Sequence, residues 1–563
     1  MTWSALWAEV QRTAAGLRGL GLRRGDRLAI LARTRHEWQV VEQAAALVGA
    51  TVVGIDPNAA AEQVGWVLQH AGVSGLVVDT HQQAARVPTP AANQLSWVVA
   101  FDADGENGAH GNVHAFGNIG AATLLPSVVE DVDEDDTAVL IYTSGTTGAP
   151  KGIEYSHKQL MTACRAMLEE FPDLRQPNRF VCWLPMAALF QRMINMVAIA
   201  SKSSTYFVED PRELIAHLRD IRPTVFFAVP RFYERLHDGI REQISKAAPL
   251  RRWVAKTALA VGHEHAGALR EGTNPGWGLS LRHACADRLV LRSIRAVMGG
   301  HIKWMITGSA AAPVWMLEFF HDTGLRLLEA YGITENPVPV AANRPDAFRL
   351  GSVGKPFAMN DVRLSEEGEV LVKGPAMFRG YVGETAAECF TSDGYYRTGD
   401  LGRFDTDGFL FLTGRVAEII KTSGGRRISP TAIEQIYRQS RYVDQLVVIG
   451  NNRPFLTALV TINSSAVRDV VTEAGIGATS ADLSSFRGVT DLLASDFQAL
   501  HTQVARHERI RAFRILPEAL SVENGTLTAT LKLRRDSIES RYAAVIDEMY
   551  TVSVGTDELR GGS

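Results

Sequence analysis

The chain has little cysteine, little net charge and no long apolar run. Its four cysteines, Cys164, Cys182, Cys285 and Cys389, lie far apart, and none belongs to a CxxC pair. That spacing excludes a zinc ribbon and argues against a disulfide framework, so reduced thiols in a cytoplasmic protein are expected. The net charge is −4, with no basic tail and with basic residues scattered along the chain, so no nucleic-acid partner is expected. No uninterrupted apolar stretch approaches the roughly 20 residues that cross a bilayer. The opening "MTWSALWAEVQRTAAGLRGLGLRRGD" reads as an amphipathic helix and lacks the basic start and apolar block of a signal peptide. Peripheral contact with a membrane surface stays open. Internal repeats and low-complexity tracts are absent.

What is present is a soluble core-forming mix, with 46% hydrophobic and 21% charged residues. A length of 563 residues implies two to four domains. Up to about Glu130, apolar runs such as "DRLAILAR" and "ATVVGID" alternate with helical patterns such as "EWQVVEQAAALVGA". That alternation predicts a mostly parallel sheet covered on both faces. The acidic run from Glu130 to Asp136 reads as a solvated loop. Further α/β alternation follows, then a mainly helical stretch from Arg231 to about Gly300. "GEVLVKGPAMFRGYV" and "GFLFLTGR" have Gly-punctuated β character. After Arg415, "RISPTAIEQIYRQS", "VDQLVVIG" and "FLTALVTI" predict a small separate α+β unit, and the tail "VGTDELRGGS" is expected to be disordered.

The most informative stretch is "YTSGTTGAPKG", Tyr142 to Gly152, directly after the β-rich run "TAVLIY". Gly145 and Gly148 remove Cβ atoms, so backbone N–H groups can approach an anion. Thr143, Ser144, Thr146 and Thr147 add hydroxyl donors, and Lys151 adds a full positive charge. Donors with one cation make a phosphate cradle. The order of residues is neither GxxxxGK[ST] nor GxGxxG.

This stretch resembles the phosphate loop of the adenylate-forming superfamily, which includes acyl-CoA synthetases, peptide-synthetase adenylation domains and beetle luciferases. Four more stretches occur in that family's order, so the resemblance covers almost the whole chain. It implies a large N-terminal domain (1–414) of layered, mostly parallel sheets with helices plus a β-rich subdomain. A hinge (415–418) and a small mobile α+β C-terminal domain (419–563) complete the expected α/β fold. "EAYGITE" is similar to the adenine and metal stretch. The likeness places Tyr331 and Gly332 at adenine, Thr334 at the α-phosphate and Glu335 at Mg²⁺. An aromatic face suits a base and a hard oxygen ligand suits magnesium. On its own, Tyr331 reads better as a core aromatic. "TGSAAAP" resembles the segment whose backbone lines the adenine and acyl pockets, which assigns Gly308, Ser309 and Ala310 to ATP. In "YRTGDLG", the resemblance gives Asp400 both ribose hydroxyls, and Arg415 a contact with ribose and phosphate. In "GTLTATLKLRR", Lys532 takes the place of the adenylation lysine. Lys421 in "IIKTSGG" takes that of the lysine used in thioester formation, with Gly424, Gly425 and Arg426 beside the CoA arm. Domain rotation would present each lysine in turn.

"RPTVFFAVPRFYERLHDGI", the helical stretch after it and "LTATLKLRR" resemble the long-chain fatty acyl-CoA synthetase branch. The implied reaction joins a medium- to long-chain fatty acid to CoA through an acyl adenylate, with ATP, Mg²⁺ and CoA required. An acyl carrier protein is the alternative acceptor, and a non-catalytic nucleotide-binding relative is the alternative of another class. Three departures stand out. Ala188 sits where histidine is usual and Ala417 where Asp or Lys is usual. The chain also opens some tens of residues into the pattern of its relatives.

Overall fold

The computed structural model describes residues 1–102, 113–119, 132–143, 150–384, 389–473, 487–521, 523–527, 533–551 and 560–562. Its first sheet has seven strands: β1 (Arg27–Leu31), β2 (Thr51–Ile55), β3 (Gly75–Thr80), β4 (Trp97–Asp102), β5 (Val113–Ala115), β6 (Thr137–Thr143) and β7 (Lys151–Ser156). Their order is β5-β4-β3-β1-β2-β6-β7, and every pairing is parallel except β6 with β7. The central strands are apolar throughout because helices cover both faces. In β1, Leu28 and Ile30 point into one core and Ala29 and Leu31 into another. The acidic run ends at Asp136, which pairs with Arg24 at 2.8 Å and leaves Asp133 to Asp135 exposed.

A short parallel pair, β8 (Arg179–Cys182) and β9 (Ser204–Phe207), precedes the second large sheet. That sheet contains β10 (Val225–Ala228), β11 (Trp304–Thr307), β12 (Leu327–Ile333), β13 (Asn336–Ala342) and β14 (Lys355–Pro356) in sequential order. β10, β11 and β12 are parallel, and β13 and β14 turn antiparallel. The helical stretch between β10 and β11 forms Pro230–Ser245, Pro249–Arg270, Trp277–Ala286 and Arg292–Val297, with a π-helical turn at Asp287–Leu291. One core joins the two sheets: Ile153 and Tyr155 from β7 meet Phe227 of β10 and Trp304 of β11, with the helices His157–Glu170 and Leu189–Ala200 contributing to it.

The β-rich subdomain is an antiparallel sheet of β15 (Asp361–Leu364), β16 (Glu369–Lys373), β17 (Tyr396–Phe404) and β18 (Leu410–Arg415). "GEVLVKGPAMFRGYV" is β-structured over a shorter range than its pattern predicts. β16 stops at Lys373, and the chain re-pairs only at a bridge between Tyr381 and Ile153. After Arg415 come a hairpin of β19 (Ile420–Lys421) with β20 (Arg427–Ile428), the helix Pro430–Tyr437, and a sheet of β21 (Val443–Ile449), β22 (Leu456–Ile462), β23 (Ile510–Ile515) and β24 (Arg560–Gly562). Of the tail expected to be disordered, only Arg560–Gly562 is described, and it is ordered as β24; the rest of that expectation lies outside the described residues. β24 pairs in parallel with β23 and covers that strand's open edge. Backbone pairing needs no apolar alternation, so "RGG" carried no strand signal. Among the described residues, no helix is long and apolar enough to cross a membrane.

Candidate active site

β6 and β7 form a hairpin that places Thr143 directly opposite Lys151. Ser144, Gly145, Thr146, Thr147 and Gly148 lie between them, outside the described residues. Lys151 Nζ stands 2.8 Å from Glu384 Oε2 and 4.6 Å above the ring of Tyr381. The Tyr381 hydroxyl in turn donates to Glu335 Oε1 at 2.7 Å. So the lysine that ends the glycine-rich loop and the glutamate of "EAYGITE" share one aromatic neighbour. Burial, with the nearby Glu335 charge, pushes the Tyr381 hydroxyl far above its usual value, so it stays a donor. Tyr155 of β7 donates to the Thr334 carbonyl, which ties the turn after β12 to the first sheet.

Tyr331, near the end of β12, is buried against Val340, Val370, Val372 and Leu410. Its hydroxyl donates to Asp400 Oδ2 at 2.5 Å. Arg415 Nε approaches the other oxygen, Oδ1, at 2.9 Å. Asp400 is itself buried, so a carboxylate with two designated partners sits at the junction of β12, β17 and β18. Burial, then the Asp400 charge, drives the Tyr331 hydroxyl well above its usual range. The packing of this ring agrees with the core reading of Tyr331. Gly332, the next residue, is exposed.

β11 ends beside β12, and its loop carries Gly308, Ser309 and Ala310. A Cβ on Gly308 would stand 3.0 Å from the Ala330 carbonyl oxygen, so the two strand ends are closely apposed. Ser309 takes a left-handed backbone (φ 70°), a costly conformation for a residue other than glycine. Ser309 and Ala310 are exposed. Beneath them, Thr307 and Glu329 face each other across the β11–β12 register. Both are buried, and Thr307 Oγ1 and Glu329 Oε2 each have no hydrogen-bond partner. Burial raises the Glu329 carboxyl to about 8, opposed by the backbone N–H groups of Ala312 and Gly351.

β18 leads into the junction with the C-terminal unit. Gly414 has φ 151°, and a Cβ there would lie 1.8 Å from Ser429 Oγ. Ser429 donates to the Thr413 carbonyl at 2.6 Å. Ala417 is exposed in a short 3₁₀ turn, Val416–Glu418. Glu418 accepts from Thr431, and Arg535 binds Glu434 at 2.7 Å. Lys421, Gly424, Gly425 and Arg426 are all exposed on the β19–β20 hairpin. Gly425 is left-handed (φ 78°) and donates to the Thr422 carbonyl, which closes the turn. Among the described residues, no hydrogen bond or ion pair joins this hairpin to Lys151, Glu335 or Asp400, and Lys532 lies outside the described residues. Ala188 precedes the helix Leu189–Ala200 and gives it no side-chain cap. The C-terminal unit docks on the helix Pro230–Ser245 through Arg231–Asp444 (2.5 Å) and Glu234–Arg438 (2.9 Å).

Sequence reasoning missed Tyr381, Glu384, Tyr155 and Glu329. Tyr381 and Glu384 follow the phosphate loop by more than two hundred residues and have no spacing relation to it. Glu329 was visible as a charged residue inside an apolar strand, and that was the available signal. Among the described residues, no group of three or more His, Cys, Asp or Glu could hold a metal by itself. Glu335 offers one carboxylate. That suits magnesium, which takes few protein ligands when substrate phosphates and water supply the rest.

A family profile described as AMP-binding enzyme matches residues 1–382, and a profile for the C-terminal domain of AMP-binding enzymes matches residues 417–553. The long-chain-fatty-acid–CoA ligase FadD15 of Mycobacterium bovis is 34% identical over 552 residues, covering 96% of this chain and 91% of its own. Human long-chain-fatty-acid–CoA ligase 1 is 28% identical over 560 residues, covering 93% of this chain and 78% of its own. Among solved structures, the A-PCP didomain of a carboxylic acid reductase from Segniliparus rugosus, in complex with AMP, aligns with a TM-score of 0.73 at 20% identity. That alignment covers 97% of this chain and 75% of the other. The anthranilate CoA ligase AuaEII, in complex with anthranoyl-AMP, aligns with a TM-score of 0.72 at 18% identity, over 97% and 93%. These structural likenesses carry the fold: a large N-terminal α/β part and a smaller C-terminal domain.

Proposed function

Since this chain belongs to the family of AMP-binding enzymes, we propose that it is an ATP-dependent long-chain fatty acid–CoA ligase. A carboxylate oxygen of the acid attacks the α-phosphorus of ATP, the bond to the β-phosphate breaks, and pyrophosphate leaves. The thiol sulfur of CoA then attacks the acyl carbon of the adenylate, its proton passes to solvent, and AMP leaves. The observation that carries this reading is the convergence of phosphate-type and ribose-type groups at the end of β12. Lys151 and Glu335 meet around Tyr381, and Asp400 waits between Tyr331 and Arg415.

The groups divide the chemistry between them. Lys151 exchanges Glu384 for phosphate oxygens. The exposed Lys151–Glu384 pair is weak and gives way to a multiply charged ligand. Thr143, Ser144, Gly145, Thr146, Thr147 and Gly148 would supply N–H and hydroxyl donors to the same phosphates. Thr334 donates to the α-phosphate, whose charge grows in the transition state. Glu335 would hold Mg²⁺, which neutralises phosphate charge when bound. Asp400 accepts the ribose hydroxyls, with Tyr331 and Arg415 fixing its orientation. Gly308, Ser309 and Ala310, with Gly332, border the adenine, and Tyr331 acts through its hydroxyl on Asp400 because its ring is packed in the core. Lys532 bridges carboxylate and α-phosphate in the first step. Lys421 serves the second, with Gly424, Gly425 and Arg426 along the CoA arm. Residues 415–418 are the hinge between an N-terminal domain (1–414) and a C-terminal domain (419–563).

The test is pyrophosphate release by the purified protein with Mg-ATP and a panel of fatty acids, with and without CoA. Release that peaks at one chain length and yields acyl-CoA is the expected result. Release with no thioester to CoA, but with thioester on an acyl carrier protein, would replace the acceptor. ATP binding without pyrophosphate release from any acid would overturn the ligase reading.

A further inference from the structure

The strand that enters the glycine-rich loop is held on one side for only part of its length. β6 pairs with β2 through Val139 and Leu140, whereas its pairing with β7 runs on to Tyr142 opposite Gly152 and Thr143 opposite Lys151. Among the described residues, the end of β6 therefore has a backbone partner on one edge alone. β7 has a second anchor of its own: the Val382 N–H donates to the Gly152 carbonyl at 2.9 Å, and Tyr381 bridges to Ile153. What ties the entry strand sideways is the side chain of Tyr142.

The helix Ala61–His70 supplies the other half of that tie. Val64, Val67 and Leu68 enter the core against the first sheet, and Trp66 and His70, four residues apart, share a side of the helix. Their rings stack at 4.6 Å with 16° between the planes. Tyr142 meets both edge-on, 5.8 Å from Trp66 and 5.7 Å from His70, a favourable arrangement of aromatic rings. The Tyr142 hydroxyl and His70 Nδ1 are hydrogen-bonded at 2.7 Å. Burial, opposed by Arg27 and reinforced by Glu154, pushes that hydroxyl up to about 12, so it keeps its proton near neutral pH. The ring also lies against the strand of Lys151: a Cβ on Gly152 would stand 3.3 Å from Tyr142 Cε1. His70 itself is exposed, and a histidine in the last turn of a helix is ordinarily explained by the helix dipole. The dipole does not call for a ring stacked on Trp66 and bonded to the residue just before Thr143.

We infer that His70 is a positioning residue for the phosphates of the nucleotide. Its bond to Tyr142, backed by Trp66, fixes the strand from which the glycine-rich loop departs, so it sets affinity for the triphosphate and not for the adenosine end. Donors held in place before an anion arrives bind it more tightly than donors that must be ordered by it. The inference rests on the proposed assignment of residues 143–151 to the phosphates of ATP. It does not depend on which acid or acceptor the protein uses.

The test is calorimetric titration of the intact protein with Mg-ATP and, separately, with AMP. His70→Ala should weaken ATP about fivefold, the loss expected for one hydrogen bond, and leave AMP unchanged. Tyr142→Phe keeps the ring and removes the hydroxyl, so it should match His70→Ala, and the double variant should be no weaker than either single one. His70→Asn, whose amide can reach the same hydroxyl, should restore ATP binding. Glu62→Ala, at the other end of the same helix, should change nothing. Thioester formation from preformed acyl adenylate, which needs no triphosphate, should be the same in all of them. Unchanged ATP binding in His70→Ala and Tyr142→Phe, equal weakening of ATP and AMP, or a loss that persists in His70→Asn would overturn the inference. Pyrophosphate release and acyl-CoA formation are read on the same proteins. A parent that binds ATP but activates no acid rejects the ligase and keeps the positioning role. A parent that makes acyl-CoA while every variant binds ATP equally rejects the positioning role alone.

Discussion

Glu329 is the buried group whose consequences can be worked out most fully. Its carboxyl lies under the loop after β11, with one oxygen unpartnered and Thr307 across the register. Burial sets its pKa at about 8 in the folded protein, against 4.5 in the exposed chain. The folded value is the higher one, so the stability contributed by this proton is whole below about pH 4.5. It declines as the unfolded chain ionises, and is lost as pH rises through about 8. A gap of about 3.5 corresponds to roughly 5 kcal/mol at the alkaline limit, of which about 3 kcal/mol is already gone at pH 7. Glu329→Gln keeps the shape and one acceptor for Ala312 and Gly351 but has no proton to lose. It should match the parent near pH 4.5 and exceed it increasingly towards pH 8. For a domain of this size the gain at pH 7 is a rise of about 3 °C in the unfolding midpoint. The assay is thermal unfolding of both proteins at one scan rate from pH 5 to 8.5, compared as differences. Parallel profiles would refute the argument. Glu329→Ala separates charge from anchoring. It leaves both N–H groups without the carboxyl, so it should raise the KM for ATP, which Glu329→Gln should not do.

Asp400→Asn should raise the KM for ATP about tenfold or more with the fold intact by circular dichroism, because a charged acceptor is lost; Tyr331→Phe, which removes only the hydroxyl, should cost less. An unchanged KM in Asp400→Asn would move the ribose site elsewhere. Glu384→Gln should free Lys151 and lower the KM for ATP, by less than about fivefold because an exposed pair is worth under about 1 kcal/mol; a raised KM would show that Glu384 assists binding. Lys532→Ala should abolish pyrophosphate release, whereas Lys421→Ala should preserve it and slow thioester formation from preformed acyl adenylate; equal loss of both steps in both variants would refute the division of labour. Gly414→Ala should destabilise the junction by about 2 kcal/mol or more, read as faster proteolysis between residues 414 and 419, with partial rescue by Ser429→Ala.

The sequence made legible what short spacings encode. A loop that must bring backbone N–H groups to a phosphate needs glycine and hydroxyl residues in a row, and that requirement is written locally from Thr143 to Lys151. The strand pattern of β1, β2, β6 and β10 was equally readable, because a strand buried on both faces has to be apolar at every position. Other features depend on residues distant in the chain. Tyr331 meets Asp400 across 69 positions and Lys151 meets Glu384 across 233. Only the folded sheets reveal that a tyrosine orients the carboxylate, or that an exposed glutamate already occupies the lysine. The same holds for the docking of the C-terminal unit through Arg231 and Asp444, two charges that read as ordinary surface residues until they stand 2.5 Å apart. Motifs therefore locate the chemistry. The partners that tune it (Tyr381 beside Glu335, Glu329 beneath the loop, Ser429 against Gly414) emerge only when packing joins segments that the chain keeps apart.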